Sequence, residues 1–401
     1  LGDVYKRQTS ALAEYQVPVL DIGASVIHDE MTMGLYVELE GGTADAPVLK
    51  DLLFRAHEAG VRLRFSVISR EDYERWVNDA HTSRYIVTVL SAGIDARTLA
   101  VVSAVLARLG MNVESVRRQT ARIGTVESQQ RAGGRKCASL ELQVSGAATD
   151  TSSLKEGLLA ATELADFDFS VQRQSVFRRH RRVLAFDMDS TLIEGEVIDA
   201  LADRHGVGTA VSEITRRAMA GEMDFRAGLE QRVRQLAGLP ETALREVTEA
   251  IRLSPGADRL LGAVQQLGLK TAIISGGFTF VGEHLRDRLG IDHLYANTLE
   301  IEDGRLTGRL VGRIVDAQGK ADALRAICEI EGVSLAQSIA VGDGANDLPM
   351  LAAAGLGVAF HAKPAVRESA SHAISKFGLD SVLYLLGFTD RDLDQLSVEK
   401  S

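Results

Sequence analysis

One thing is scarce in this chain, and two are missing altogether. Only two cysteines occur in 401 residues, Cys137 and Cys328, and they fall in segments assigned below to different domains. A reduced, intracellular protein is the simplest reading, and a cytoplasmic one is expected. Net positive charge is absent: 45 basic against 55 acidic residues leave −10, which argues against a nucleic-acid binder. The run Arg178-Arg179-His180-Arg181-Arg182 is read as a solvated linker at a domain junction. No stretch approaches the eighteen or so apolar residues of a membrane span, so no membrane partner is expected. The opening Leu1–Gln8 has neither an initiator Met nor an apolar core, and so is not read as a signal peptide.

What is present is ordinary in bulk, 45% hydrophobic and 25% charged, and long enough for two or three domains. An internal repeat organises the first 177 residues. Leu12–Ile22 resembles Leu106–Val116 at an offset of 94 (106 − 12). After each comes an alternating strand, Leu35–Leu39 and Ala138–Leu142. A helix follows, with apolar residues at Leu49, Leu52, Leu53, Ala56 and at Leu154, Leu158, Leu159. Each unit then closes on a strand, Leu63–Ile68 and Phe167–Gln172. The second also opens with one, Tyr85–Leu90, giving the β-α-β-β-α-β order of a ferredoxin-like unit. In the first, the opening strand would lie before residue 1, which leaves a sheet position vacant.

The paired units resemble ACT domains, small modules that bind amino acids at strand-loop-helix junctions, often across a subunit interface. Besides the pattern, Gly93-Ile94-Asp95 and Gly110-Met111-Asn112 carry the resemblance. It implies an amino-acid site at Gly93, Asp95, Gly110 and Asn112, with L-serine as the candidate effector, and a homodimer. On structural grounds alone Gly93 turns the chain and Gly110 caps a helix. The first unit has Pro18 where the second has Asn112.

The second half alternates strands and helices, as in an α/β sheet. Val183–Phe186 reads as a buried strand from whose end two carboxylates emerge, in Asp187-Met188-Asp189-Ser190-Thr191. Such strand ends are where open parallel sheets collect ligands. Two acids at i, i+2 are read either as a cation site or as an acidic turn capping the next helix. Three further signals follow: Ser275-Gly276-Gly277 after Thr271–Ile274, Lys320 at a helix start, and Gly342-Asp343-Gly344-Ala345-Asn346-Asp347 after Ser338–Val341.

In that order the four motifs resemble those of the haloacid dehalogenase superfamily over about residues 180–386. The resemblance implies phosphoryl transfer, with Asp187 as nucleophile, Asp189 as general acid then base, Ser275 and Lys320 completing the catalytic set, and the amides of Gly276 and Gly277 binding the phosphoryl oxygens. It implies Mg2+ held by Asp187, the Asp189 carbonyl and Asp343, with Asn346 and Asp347 in support.

The mainly helical insert between Ile193 and Ser254 is similar to the cap of phosphoserine phosphatases within that superfamily. Glu196, Met219, Phe225 and Arg232 carry the likeness. Taken singly, Glu196 reads as a helix-start acid, Arg232 as a surface charge, and Met219 and Phe225 as cap core. The resemblance instead makes Glu196 the partner of a substrate ammonium and Arg232 of its carboxylate, with O-phospho-L-serine as substrate and the last step of serine synthesis as role. Another small amino-acid phosphate, or an amino-acid sensor on a vestigial phosphatase fold, are the alternatives. The organisation expected is an incomplete ACT unit at 1–80, a second at 81–177, and a phosphatase domain at 178–390, of HAD-like α/β fold, with its cap at about 196–254.

Overall fold

The structure, a computed structural model, describes all residues except 1–9, 11, 28–29, 40–46, 79–82, 122–136, 147–150, 220–221, 371 and 399–401. Contacts divide the chain into two compact units, Leu1–His81 and Thr82–Ser401.

In the first unit, β1 (Val19–Ile27) and β2 (Glu30–Val37) form an antiparallel hairpin. Helix α1 (Pro47–Glu58) buries Val48 and Leu52 in a small cluster with Leu12. The expected closing strand over Leu63–Ile68 does not form: residues 61–69 are irregular and lead directly into α2 (Arg70–Asn78). The second unit supplies the physical reason. There the closing strand pairs with the opening strand of its own βαββαβ unit, and no described residue of the first unit provides that partner. A strand without a ladder leaves its amides to water.

The Thr82–Ser401 unit begins with β3 (Ser83–Ser91), α3 (Ala96–Arg108), β4 (Met111–Arg118), β5 (Ala138–Gly146), α4 (Ser152–Ala161) and β6 (Phe167–Arg173). Its strands run antiparallel in the order β6-β3-β5-β4, the ferredoxin-like arrangement. Alternation decides the faces: Tyr85, Val87 and Val89 point at Val102, Val105 and Leu106 of α3 and at Leu154 and Leu158 of α4. Leu90 points the other way, into a second core.

That core belongs to an α/β layer built on β7 (Val183–Phe186). A cap follows β7, made of α5 (Val197–His205), α6 (Gly208–Met219), α7 (Phe225–Gln235) and α8 (Glu241–Ala250). The chain then returns through α9 (Ala257–Gln266), β8 (Lys270–Phe278), α10 (Thr279–Leu289), β9 (His293–Glu302), β10 (Arg305–Val311), α11 (Ala317–Ile330), β11 (Ser338–Gly342), α12 (Leu348–Ala353), β12 (Leu356–Phe360) and β13 (His372–Ile374). Strands β9-β8-β7-β11-β12-β13 are parallel, with β10 antiparallel at the edge. The residues of β7 are wholly buried, as a parallel sheet covered on both faces requires. The fold class is thus HAD-like α/β with ferredoxin-like α+β structure ahead of it.

The two sheets are one. β13 pairs antiparallel with β6 through His372↔Ser170 and Ala373↔Phe169, so eleven strands continue across position 177, where the sequence suggests a domain boundary. Side chains seal the seam. Asp168 accepts from the amides of Ser375 and Lys376 at 2.8 and 2.9 Å, and Gln172 donates to the Leu385 carbonyl at 2.8 Å. The arginine run there is not the solvated linker the sequence suggests: Arg178 and Arg181 are only 7% and 8% exposed. Arg178 forms a buried 2.6 Å ion pair with Glu141 of β5, itself 3% exposed. Its charge is partnered across the seam, which is how a guanidinium can be buried at all.

His372 lies in the same seam, its Nδ1 2.9 Å from the Ser170 hydroxyl. Burial, then the positive charges of Arg181 and Lys155, push its pKa down to about 3, so it is neutral in the fold. Unfolded, it takes a proton below about pH 6.5. Between these values the unfolded chain binds more protons, and stability falls as pH falls. Chemical denaturation should show His372 costing about 2 kcal/mol at pH 5 relative to pH 7, and His372→Gln should remove that part of the slope.

Candidate active site

The middle strands β8, β7 and β11 end side by side, and their carboxyl ends bring the separate motifs together. The Asp187 amide donates to the Val341 carbonyl at 2.8 Å, holding Asp187 at the end of the ladder between β7 and β11. The chain then kinks. Asp189 is extended, and Ser190 takes a left-handed φ of 56°. For a residue with a side chain this costs on the order of 1 kcal/mol. The kink is held by Ser190 N donating to Gly195 O at 2.9 Å and Ile193 N to Met188 O at 3.0 Å. It turns both acids toward the same space.

Lys320, fully buried on the first turn of α11, sits between two carboxylates. Its Nζ lies 2.7 Å from Asp187 Oδ2 and 2.6 Å from Asp347 Oδ1. Burial alone would lower the lysine pKa, but Asp187 and Asp347 outweigh it and raise it, so the cation persists. The other Asp347 oxygen accepts from the Gly344 amide at 2.9 Å. Gly342 has no room for a side chain, since a Cβ there would lie 2.5 Å from the Asp347 carboxyl carbon.

Asp343, after β11, accepts from the Thr191 hydroxyl at 3.1 Å. Its pKa is pushed up to about 6, by burial first and then by Asp187 and Glu196. Asp189 is half-buried, and its Oδ1 accepts from the Val197 amide of the cap at 3.0 Å. Desolvation, then Glu196 and Asp187, raise its pKa well above the usual carboxylate range. Asp187, Asp343 and Asp347 offer oxygens within 4.8 Å of one another. Asp347 is occupied by Lys320 and Gly344, and Asp187 by Lys320 and the Met188 amide at 2.7 Å each, while Asp343 is half-buried with the Thr191 hydroxyl on one oxygen. An all-oxygen set with surplus negative charge fits a hard divalent cation.

Ser275 is 1% exposed within β8, and its Oγ accepts from the Gly277 amide at 2.9 Å. A Cβ on Gly277 would lie 2.4 Å from Asp189 Oδ2, so glycine lets this strand approach the acid. One residue of this region escaped the sequence reading. Asn297 on β9, 2% exposed, donates to the Gly276 carbonyl and accepts from the Val315 amide, both at 2.8 Å. It ties the Ser-Gly-Gly strand to the turn before Lys320. A lone Asn in an alternating strand carries no motif, and only its burial marks it. Thr191 and Ser190 were likewise missed as individual groups, although both stand in the first motif.

The cap is an insertion whose two ends are pinned together by Glu194 N to Arg252 O at 2.9 Å and Ser254 N to Leu192 O at 3.0 Å. A second tether joins the turn between α7 and α8 to β10, through Gly238 N to Leu306 O at 2.8 Å. Glu196, at the start of α5, accepts from the Ser190 hydroxyl at 3.0 Å. It stays open to solvent, yet the protein crowded around it desolvates the carboxylate and raises its pKa, with Asp187 adding and Ser190 opposing. Phe225 opens α7 and packs on Gly276, where a Cβ would meet its ring at 3.0 Å. Arg232, half-buried on α7, donates through Nε to Gly228 O at 3.3 Å and has no acid within 4.0 Å among the described residues. Burial lowers its pKa, with Glu196, Asp199 and Asp189 opposing at longer range. Met219 ends α6, and its side chain lies outside the described residues. Asn346 is half-buried in the turn after Asp343.

The ferredoxin-like unit holds its four candidates apart from this site. Asp95 caps α3, accepting from Thr98 N at 2.6 Å. Gly110 takes a left-handed φ of 64° after that helix, Gly93 O accepts from Ser91 Oγ at 2.7 Å, and Asn112 is exposed on β4. The helix-cap reading accounts for Gly110 as it stands, and a helix N-cap, not anticipated from the sequence, accounts for Asp95.

Comparison with known proteins places this arrangement. The family model for haloacid dehalogenase-like hydrolases matches residues 184–352, and that for the ACT domain matches residues 3–66. The chain is 38% identical over 384 residues to phosphoserine phosphatase SerB2 of Mycobacterium tuberculosis, spanning 96% of this chain and 90% of that one. It is 39% identical over 386 residues to the phosphoserine phosphatase of Streptomyces coelicolor, spanning 96% and 88%. In structure it matches a HAD family hydrolase of Salmonella enterica serovar Typhi with a TM-score of 0.64 and 32% identity, covering 76% of this chain and 98% of that one. Fold and motifs therefore define a haloacid dehalogenase-like hydrolase with an ACT domain toward its N-terminus. Within that class, the chain belongs to the phosphoserine phosphatase family.

Asn297→Ala should leave the Gly276 carbonyl and the Val315 amide unpaired and buried. The expected loss is about 2 kcal/mol in denaturant unfolding, together with slower turnover at saturating substrate. Unchanged stability and turnover would show that water replaces the amide.

Proposed function

We propose that this protein is a magnesium-dependent phosphatase that hydrolyses O-phospho-L-serine to L-serine and phosphate through a phosphoryl group carried on Asp187, as the last step of serine synthesis. The observation that carries the reading is the pair of opposite charges on the cap, Glu196 and an Arg232 bonded to no acid among the described residues, close enough to Asp187 and Asp189 to share their electrostatics. A substrate with an ammonium and a carboxylate on one side and a phosphate on the other matches that distribution of charge.

In this reading Asp187 attacks phosphorus while the ester P–O bond breaks, and the bonding pair leaves with the serine oxygen. Asp189 gives that oxygen its proton, and burial beside Glu196 and Asp187, which raises its pKa, favours the form that can do so. Water then attacks the same phosphorus, Asp189 takes the water proton, and the Asp187 carboxylate is released with phosphate. Lys320 holds Asp187 in line and balances charge on the phosphoryl oxygens, which Ser275 and the amides of Gly276 and Gly277 receive. Asp187, the Asp189 carbonyl and Asp343 would hold magnesium, which when bound supplies positive charge to the phosphoryl oxygens. Asp347 fixes Lys320, and Asn346 would contact the substrate. Phe225 and Met219 would shield the ester from bulk water.

The proposal extends to a cytoplasmic homodimer with the domain limits given above, in which L-serine binds at Gly93, Asp95, Gly110 and Asn112. Its support is the likeness to phosphoserine phosphatases and the ferredoxin-like fold of residues 83–173.

Asp187→Asn should bring phosphate release to background in a chain that still folds but melts lower, since Lys320 loses one of its two acids; retained turnover would remove Asp187 as nucleophile. Arg232→Ala should raise KM for phosphoserine about 10- to 100-fold, the worth of a charge-assisted hydrogen bond. It should leave KM for a plain aryl phosphate nearly unaltered, and equal effects on both would refute the cap assignment. Chelation should stop turnover, added magnesium should restore it, and Asp343→Asn should demand far more of the ion.

A further inference from the structure

The arginine run at the sheet seam is left over by every role described so far. Arg178, Arg179, His180, Arg181 and Arg182 form one wall of a cavity of about 120 Å³, with Leu269 and Phe388 among the apolar residues opposite. The cavity lies at the amino end of β7, five residues and roughly 16 Å from Asp187, on the side of the sheet away from the active site.

Its charge is poorly balanced. Arg178 and Arg179 converge on Gly387, where a Cβ would lie 2.8 Å from Arg178 Nη1 and 3.1 Å from Arg179 Nε. Arg178 is also close enough to lower the pKa of Arg181, which burial has already brought down to about 10. Glu141 answers Arg178 at 2.6 Å, and Asp392 faces Arg179 at longer range. Among the described residues no carboxylate lines the cavity itself. Two of the four guanidiniums, Arg178 and Arg181, are buried and two, Arg179 and Arg182, are exposed; backbone carbonyls of Leu385, Gly387 and Ala336 accept from Arg178, Arg179 and Arg181, but a single carboxylate, Glu141, is bonded to the run among the described residues.

We propose that this cavity binds a small tetrahedral oxyanion of the inorganic phosphate class, held by Arg179 and Arg182 at the junction between the ferredoxin-like unit and the phosphatase sheet. Size selects the ligand. The volume lies well below the roughly 300 Å³ at which drug-sized pockets begin, which favours a small ion over a larger ligand. Guanidinium geometry suits the oxyanion, which can take paired N–H donors. Nucleic acid is disfavoured because Arg178 and Arg181 are buried and cannot track a backbone. The bound anion would neutralise the run whose backbone joins β7 to its neighbours, through Arg182 N to Gln337 O and Lys270 N to Arg182 O, both at 2.8 Å.

Calorimetric titration of inorganic phosphate into the full chain tests this, in a Ser275→Ala background that weakens phosphate binding at the active site. A binding isotherm is expected to remain. Adding Arg179→Gln and Arg182→Gln, both exposed positions that should fold normally, is expected to weaken it about tenfold or more. Lysine at both positions is expected to restore part of the affinity. Absence of the residual isotherm, or one the glutamine pair leaves unaltered, overturns the proposal. So does binding of a duplex oligonucleotide by a chain that ignores phosphate.

Discussion

The buried ammonium of Lys320 is the constraint around which the rest is arranged. A lysine wholly removed from water is tolerated only because Asp187 and Asp347 stand within 2.7 Å of it, and neither acid would be stable there without it. Each of the three comes from a different element. Asp187 follows β7, Asp347 follows β11, and Lys320 opens α11. The parallel pairing of β7 with β11 and the seating of α11 must therefore be right together for the charges to meet. The glycines around them serve that fit, Gly342 by leaving space for Asp347 and Gly277 by leaving space for Asp189.

The cap depends on the same arrangement through hydrogen bonds rather than through packing alone. Asp189 is bonded to the Val197 amide at the start of the first cap helix, and Ser190 to Glu196 one residue earlier. The acid that faces the core site and the acid that faces the cap are thus oriented by one short kink. Movement of the cap would alter both. On the other side of the sheet, the β6–β13 pairing makes the ferredoxin-like strands a continuation of the strands that carry Asp343. A change of register or tilt in one part has a direct backbone route to the other.

Much of this was legible in the residues. The four motifs occupy the strand and helix ends expected of them, because apolar runs such as Val183–Phe186 mark buried parallel strands and the polar residues directly after them must face the ligand side. The second βαββαβ unit was equally readable from its alternation. The first unit was not, because Leu63–Ile68 has the composition of a strand while its pairing partner is missing from the described residues, and pairing is a property of two segments. The run Arg178–Arg182 misled for a similar reason. Charge pattern suggests solvent, but Glu141, 37 residues earlier, buries Arg178.

By itself the sequence determined the chemical groups, their order, and the class of fold that would bring them to one edge of a sheet, since period and composition are local. Only the tertiary structure decided which groups hold one another: Lys320 between two acids, Asn297 between two backbone segments, His372 kept neutral in a seam. Those are contacts between residues far apart in the chain. Their energies come from burial and geometry, which no local pattern encodes.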